Sequence, residues 1–375
     1  MHVLHTFSNN SSVPYLSWFA ERAHREGGPR FTFILMHPER PRMIDEMKAY
    51  GFKCIWIKFS DQHRKRGLLK ALFLMWWHMA RLRPDVVHSH LMDDSMAGML
   101  AARLAGVKAR VVTKQVTGFH WMHAPRWVWV DRFTNRMATD LLAVSGECRQ
   151  FLLEKEKAPS SKITVVHHGV QVADITAQDP SVSEALRRRF GAIDRFPVIG
   201  TVARLIEWKG HRHIVDAARE VVRNHPKALF LFCGQGDQEQ AILRQVKEAG
   251  LEDHVKLTGW VDRAEIPSFY GMLDIYLHAA ALEPFGFVYA EALLNGIPVV
   301  STQTGAAKDA IEDGSNGILV DERNGRSLAE GIERMLRSDR RAIGEAGRKT
   351  ALSLFPFERM WDGTMNLYRK ALARH

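Results

Sequence analysis

The residues that can do chemistry are densest in Glu283-Pro-Phe-Gly-Phe-Val-Tyr-Ala-Glu291, which runs on into Ala-Leu-Leu-Asn-Gly-Ile-Pro298-Val-Val-Ser. Two carboxylates stand eight residues apart. Pro284, Phe285 and Gly286 form a turn from which a helix can start, and Glu291 lies on that helix. On helical spacing the second carboxylate sits about 9–12 Å further along the same face. Backbone N–H groups at Gly286 and Phe287 would face out from the helix start, where an anion is favoured. A diphosphate held there, between two hydroxyl-binding carboxylates, describes a nucleotide sugar with its sugar at one end and its ribose at the other. A solvated acidic pair on a surface helix would need neither the turn nor the apolar flanks.

Three stretches upstream point the same way. In Gly200-Thr-Val-Ala-Arg204-Leu-Ile-Glu-Trp-Lys209-Gly210 an apolar strand ends, and two cations bracket the turn into the next helix. That suits a phosphate-rich group; a solvated basic loop is the competing reading. In Phe232-Cys-Gly234-Gln-Gly236-Asp237 paired glycines after an apolar run would let a ligand approach the backbone, although the third glycine of a dinucleotide fingerprint is missing; a plain strand-to-helix turn is the equal alternative. In Val255-Lys-Leu-Thr-Gly259-Trp260-Val261 an aromatic beside exposed amides suits a nucleobase, the alternative being a core tryptophan.

The elements that must position these residues alternate. Strands are predicted at Val3–Phe7, Phe31–Leu35, Cys54–Ile57, Val86–His88, Val111–Thr113, Leu141–Val144 and Ile163–Val166. A second set runs through Pro197–Ala203, Leu229–Cys233, Val255–Leu257, Ile275–His278, Val299–Ser301 and Ile318–Val320, and helical patterns lie between most of them. Nearly continuous apolar strands separated by helices argue an α/β chain with two buried parallel sheets. The boundary is placed in the mixed, polar stretch Gly169–Phe196. This gives a first domain over residues 1–175, a second over 190–355, and a closing helix over 356–375 that crosses back to the first domain. In such folds ligands bind at the carboxyl ends of the strands.

Composition bounds the partners. The 375 residues, 46% hydrophobic and 25% charged, describe an ordinary globular protein of two domains. No apolar run is long enough for a membrane span and the start lacks a signal-peptide pattern. Three scattered cysteines read as reduced thiols of a cytoplasmic protein. The net charge of +10 is uneven: residues 1–170 carry 25 Lys and Arg against 14 Asp and Glu, and the remainder 27 against 28. Seven of the ten tryptophans share the basic half. His63-Arg-Lys-Arg66 with Trp76 and Trp77, and Phe119–Arg132 with Trp121, Trp127 and Trp129, suit an anionic membrane surface, the competing reading being helices that cover a sheet. Nucleic acid is disfavoured, since no helix-turn-helix or zinc-ligand spacing accompanies the charge.

Taken together, Glu-(seven residues)-Glu with its Pro-Phe-Gly, the following A-x-x-x-G-x-P-V-V, A-R-L-x-x-x-K-G, L-F-C-G-x-G and the closing F-P-F-E-R-M-W-x-x-x-x-x-L-Y cover residues 197–372 in order. The chain resembles the family 4 glycosyltransferases, retaining enzymes of the GT-B fold with two doubly wound Rossmann-like domains facing across a cleft. R-P-D-V-V-H-S-H, L-L-A-V-S and V-V-H-H-G-V match more loosely in the first half. The resemblance implies that Arg204 and Lys209 hold the donor diphosphate, Glu283 meets the transferred sugar and Glu291 the ribose. Gly286 and Phe287 would offer amides, and Trp260 and Val261 would line the base. It implies a metal-independent enzyme with no resident cofactor, whose nucleoside-diphosphate sugar is a co-substrate. Its acceptor would be a glycan or lipid-linked molecule of cell-envelope polysaccharide or lipopolysaccharide synthesis, met on the inner face of the cytoplasmic membrane.

The chain departs from the family in three places. The glycine pair after the first strand is replaced by Ser8-Asn9-Asn10-Ser11-Ser12, whose Asn9, Asn10 and Ser11 could contact phosphate or acceptor. The histidine after the fifth strand is replaced by Gln115, with His120 five residues on, and either can approach the reaction centre. Asp309 stands where the family has a glutamate. A nucleotide-sugar epimerase on the same architecture, which would act with no acceptor present, is the alternative activity; a nucleic-acid-modifying enzyme is a more distant one.

Overall fold

The computed structural model describes residues 1–8, 13–59, 64–115, 118, 120–121 and 124–374. Its contacts divide the chain into two units, Met1–Gly169 with Phe357–His375, and Val170–Pro356. Each is built on one parallel sheet.

In the first unit the strands are β1 (His2–Phe7), β2 (Arg30–His37), β3 (Lys53–Lys58), β4 (Val86–Ser89), β5 (Ala109–Lys114), β6 (Asp140–Ala143) and β7 (Ile163–Val165). Their order across the sheet is β3-β2-β1-β4-β5-β6-β7. β1 is buried along its whole length, and so is β4, as a sheet covered on both faces requires. The chain works outward from β1 in one direction and then returns to start again at β4. At that reversal the following loops diverge and open a crevice at the carboxyl ends.

The second unit repeats the plan. Its strands β8 (Val198–Val202), β9 (Leu229–Cys233), β10 (Val255–Gly259), β11 (Ile275–His278), β12 (Val299–Thr302) and β13 (Ile318–Val320) lie in the order β10-β9-β8-β11-β12-β13. Here the reversal falls between β8 and β11, paired at Ile275↔Ile199 and Tyr276↔Gly200. Ile199, Phe230, Ile275 and Val300 of the sheet pack with Ile214, Val221 and Ile332 of the covering helices.

The stretch Gly169–Phe196 is not a linker. Asp179 caps the helix Pro180–Arg189 by accepting from Ser181 N and Val182 N. Leu186 and Phe190 are buried, Phe190 with its ring 6.2 Å from that of Phe269. The chain divides at Gly169/Val170, at the start of this stretch, so the helix Pro180–Arg189 belongs to the second unit. The last helix, Phe357–Ala373, belongs to the first unit. Phe19 meets Phe357 and Trp361 at 5.4 and 5.1 Å, and the Tyr368 hydroxyl lies 2.5 Å from His88 Nδ1. Among the described residues no helix is long and apolar enough to cross a membrane.

A chain of histidines lies in the first unit's core. Gln115 Nε2 donates to the Tyr15 hydroxyl at 2.5 Å, which lies 3.2 Å from His90 Nδ1, and His90 Nε2 lies 3.0 Å from His5 Nδ1. With the Tyr15 oxygen accepting from Gln115, its proton goes to His90, whose other nitrogen then donates to His5. His5, His88 and His90 also have metal-ligand spacing, with ring nitrogens within 4.8 Å of one another. Those nitrogens are largely committed elsewhere: both of His88 to Tyr368 and Thr113, and both of His90 to Tyr15 and His5.

Burial pushes the His5 and His168 rings down to about 3, and holds His88 and His90 well below the ordinary histidine value. The unfolded chain takes up these protons below about pH 6.5 while the fold refuses them, so stability falls as pH drops. Asp94 and Glu291, each raised by burial to about 7, work in the opposite sense between pH 7 and 4, but they are two groups against four. We expect urea unfolding to show stability falling from pH 7 to pH 5, approaching about 1.4 kcal/mol per pH unit for each excluded proton. A flat profile would mean that the rings accept protons without unfolding.

Candidate donor site and acceptor pocket

In the second unit the chemistry collects at the β8/β11 reversal. The loop leaving β8 passes Arg204, makes a short turn at Glu207–Lys209 and enters the helix His211–Asn224 through Gly210. Gly210 has φ +76°, and a Cβ there would lie 2.1 Å from the Ala279 carbonyl oxygen. The missing side chain lets this loop close on the segment leaving β11, where Ala281 N donates to the Trp208 carbonyl at 2.8 Å. Lys209 is thereby carried to Glu283, and its Nζ bonds Glu283 Oε2.

His278, the last residue of β11, places Nε2 3.5 Å from the same oxygen and is 1% exposed. Burial by itself would raise the Glu283 carboxyl. The His278 ring and the Lys209 ammonium outweigh it and hold the group at about 2. Burial lowers His278, so the ring is neutral near pH 7. Arg204 is exposed, and among the described residues its guanidinium makes no hydrogen bond or ion pair.

The turn after Glu283 corrects the spacing argument. The helix is Phe287–Leu294, with Gly286 as its cap at φ +90°, so Glu283 lies in the loop and not on the helix. Only the stretch from Phe287 onward has helical rise, and the two carboxylates do not share a helical face. At Gly286 a Cβ would stand 2.0 Å from the Tyr289 ring. Phe285 packs inward: it is 3% exposed and meets Phe355 edge-on at 5.4 Å. The amide of Phe287 opens the helix. Glu291 accepts from the Tyr270 hydroxyl at 3.0 Å. Burial raises its carboxyl to about 7 against that hydrogen bond.

Gly234 and Gly236 lie in the turn that leaves β9. A Cβ at Gly234 would lie 2.1 Å from the Ala203 carbonyl oxygen, and one at Gly236 2.2 Å from that of Leu205. The backbone that approaches these glycines is the chain's own β8 loop, tied by Leu205 N to Gln235 O and Gln238 N to Leu205 O. Trp260 is no core residue: it is 68% exposed, while Val261 beside it is buried.

In the first unit a cavity of about 250 Å³ opens at the carboxyl ends of β4 and β5, and Gln115 and His120 both line it, with Ser8, Lys114, Asp131 and Glu156. Its charges are met within the protein. Lys114 Nζ lies 2.8 Å from Glu156 Oε2, Asn135 donates to the same oxygen at 2.6 Å, and His120 Nδ1 lies 2.9 Å from Asp131 Oδ2. Asn9, Asn10 and Ser11 lie outside the described residues. Their neighbour Ser8 donates to Asp94 at 2.8 Å; Asp94 also accepts from Thr6 Oγ1, His90 N and Leu91 N. The Asp93-Asp94 pair thus uses Asp94 to pin Thr6 and Ser8 to the residues that follow β4.

Sequence reasoning missed His278, Tyr270 and Tyr289. The signal for His278 was present, because a polar residue closing the apolar run Ile275–His278 marks a strand's carboxyl end. Tyr289, whose hydroxyl accepts from Ala307 N at 3.1 Å, gives no such signal.

Residues 182–350 match the family model for glycosyl transferases group 1, and residues 19–174 that for Glycosyltransferase Family 4. The chain is 30% identical over 279 residues to a 2-deoxystreptamine glucosyltransferase of Streptomyces kanamyceticus, covering 71% of this chain and 72% of that one. It is 31% identical over 203 residues to a GDP-mannose-dependent alpha-(1-6)-phosphatidylinositol monomannoside mannosyltransferase of Mycolicibacterium smegmatis. That match covers 52% of this chain and about half, 53%, of the relative. The fold matches Anabaena Alr3699/HepE, solved in complex with UDP and glucose, at a TM-score of 0.80 and 20% identity over 98% of each chain.

Removing one partner of the Lys209–Glu283 pair leaves a carboxylate in a largely dry site. We expect Lys209→Met to destabilise the protein by about 3 kcal/mol in chemical denaturation, and Lys209→Met with Glu283→Gln to recover most of that loss. Equal instability of the single and double variants would show that the pair contributes nothing.

Proposed function

This chain belongs to glycosyltransferase family 4, and we propose that it is a retaining enzyme moving a sugar from a nucleoside-diphosphate sugar to a hydroxyl of a glycan or lipid-linked acceptor in cell-envelope polysaccharide or lipopolysaccharide synthesis. The observation that carries the reading is the Lys209–Glu283–His278 cluster at the carboxyl end of the second sheet. It combines a fixed cation with a carboxylate that stays ionised at every working pH. The Anabaena neighbour's UDP makes a UDP-sugar the first donor to test, and the mycobacterial relative's GDP-mannose the second.

In the transfer, the bond from the anomeric carbon to the diphosphate oxygen breaks and the acceptor oxygen bonds to that carbon on the same face. The acceptor's proton leaves with the departing phosphate. What slows such a step is charge developing on the diphosphate. In this reading Arg204, the Lys209 ammonium and the amides opening Phe287–Leu294 meet that charge. The reading assigns no metal to this role. Glu283 is a poor nucleophile, because a carboxylate held near pKa 2 by two partners has little basicity left; its free oxygen suits sugar hydroxyls. Glu291, steadied by Tyr270, suits the ribose. The cavity around Gln115 and His120 serves the acceptor.

A panel of UDP-, GDP- and ADP-sugars screened for thermal stabilisation tests the reading. A true donor at a hundred times its Kd adds about 2.7 kcal/mol. Arg204→Ala should keep the fold, since the side chain is exposed, and lower kcat by about 10²–10³. Turnover should persist in a metal chelator. Near-normal turnover of Arg204→Ala would remove the assignment.

Glu291 gives a second test. Below about pH 7 it is protonated in the free protein, and above it is a carboxylate that binds ribose hydroxyls more strongly. Free UDP should therefore bind up to about tenfold more tightly at pH 8 than at pH 6, with Glu291→Gln flattening the contrast. Glu283→Gln should spare UDP binding and impair transfer; identical behaviour of the two variants toward UDP would reverse the donor's orientation.

A further inference from the structure

The helix Arg64–Leu82 of the first unit turns its large apolar residues outward. Its buried residues are Ala71, Met75 and Met79. Leu69, Phe73, Trp76 and Trp77 are 68%, 59%, 36% and 40% exposed. Their spacing of four, three and one puts them on one stripe about 12 Å long. Such a stripe is costly in water and calls for a covering partner.

The charges identify the partner. Lys65, Arg66, Lys70 and Arg81 are exposed on the same helix, and the Arg81 guanidinium sits 4.8 Å from the Trp77 ring centre. The helix contains no Asp or Glu. A second copy docking through this face would set a wholly basic helix against itself, with no acid to answer it. An anionic bilayer answers both features, since tryptophans settle at the headgroup level while lysine and arginine reach the phosphates.

We propose that this face of Arg64–Leu82 is a membrane-docking surface that lies in the interfacial plane of an anionic bilayer. The four apolar side chains seat among the headgroups, and the flanking cations bind lipid phosphate. This inference goes beyond the glycosyl-transfer reading and stands or falls separately from it, because its test involves no sugar.

The full chain is sedimented with vesicles of phosphatidylcholine alone, and with vesicles of equal parts phosphatidylcholine and phosphatidylglycerol, at low and high salt. Binding is expected to the anionic vesicles only, weakening as salt screens the cations, with a blue shift of tryptophan emission. Lys65→Glu with Arg66→Glu and Lys70→Glu should lower the partition coefficient by at least about a hundredfold, at roughly fivefold per cation. Phe73→Ser with Trp76→Ser should abolish the blue shift while leaving weak, fully salt-reversible binding. These side chains are exposed, so unchanged melting temperatures certify the fold of the variants. Equal binding to both vesicle types, no binding at low salt, or variants that bind like the parent would overturn the proposal. So would concentration-dependent dimerisation through this face in place of vesicle binding.

Discussion

The ion pair between Lys209 and Glu283 is the contact on which the second unit's chemistry rests. The two residues are 74 positions apart and meet because the strand order reverses between β8 and β11. Loops leaving neighbouring strands on either side of such a reversal turn away from each other, and their first residues stand face to face across the gap. Gly210 brings the cation in by letting the β8 loop touch Ala279. His278 closes the third side. The carboxylate is thus fixed in charge and in place before any ligand arrives, which is what electrostatic preorganisation requires.

Glu291 stands in the opposite state. It has a tyrosine hydroxyl where Glu283 has an ammonium, and burial dominates, so its carboxyl is raised where that of Glu283 is lowered. One segment therefore carries a permanent anion and an acid that titrates near neutrality. The difference arises from partners contributed by other elements, Lys209 from the β8 loop and Tyr270 from the helix Ile266–Gly271.

The first unit uses the same topology differently. At its β1/β4 reversal the polar groups are directed inward, to Asp94 and to the run of hydrogen bonds from Gln115 through Tyr15 to the histidines. Gln115 is thereby oriented by a buried network, and Lys114 is neutralised by Glu156. The excess positive charge of this half consequently belongs to its surface and not to its cavity. This separates two readings that composition merges: a basic exterior suited to an anionic surface, and a pocket with its charges internally balanced.

The sequence by itself determined the two parallel sheets. All thirteen strands of the described residues fall where apolar, β-branched runs placed them, and the strands buried on both faces do so because they need an uninterrupted apolar stretch. It also marked the positions of Arg204, Lys209, Glu283 and Glu291, since short motifs keep their residue types in order along the chain. The short helices Gly146–Glu154 and Pro180–Arg189 escaped it, because few buried residues, such as Leu152 and Leu186, carry too little periodicity. Only the tertiary structure decided which side chains touch. That Lys209 bonds Glu283, that Phe285 faces the core, that Gly234 makes room for Ala203, and that Trp76 and Trp77 face outward are outcomes of packing between distant segments. A linear pattern states which residues are apolar or charged; the partner each one meets depends on how the strands are ordered, and strand order is not written in any local spacing.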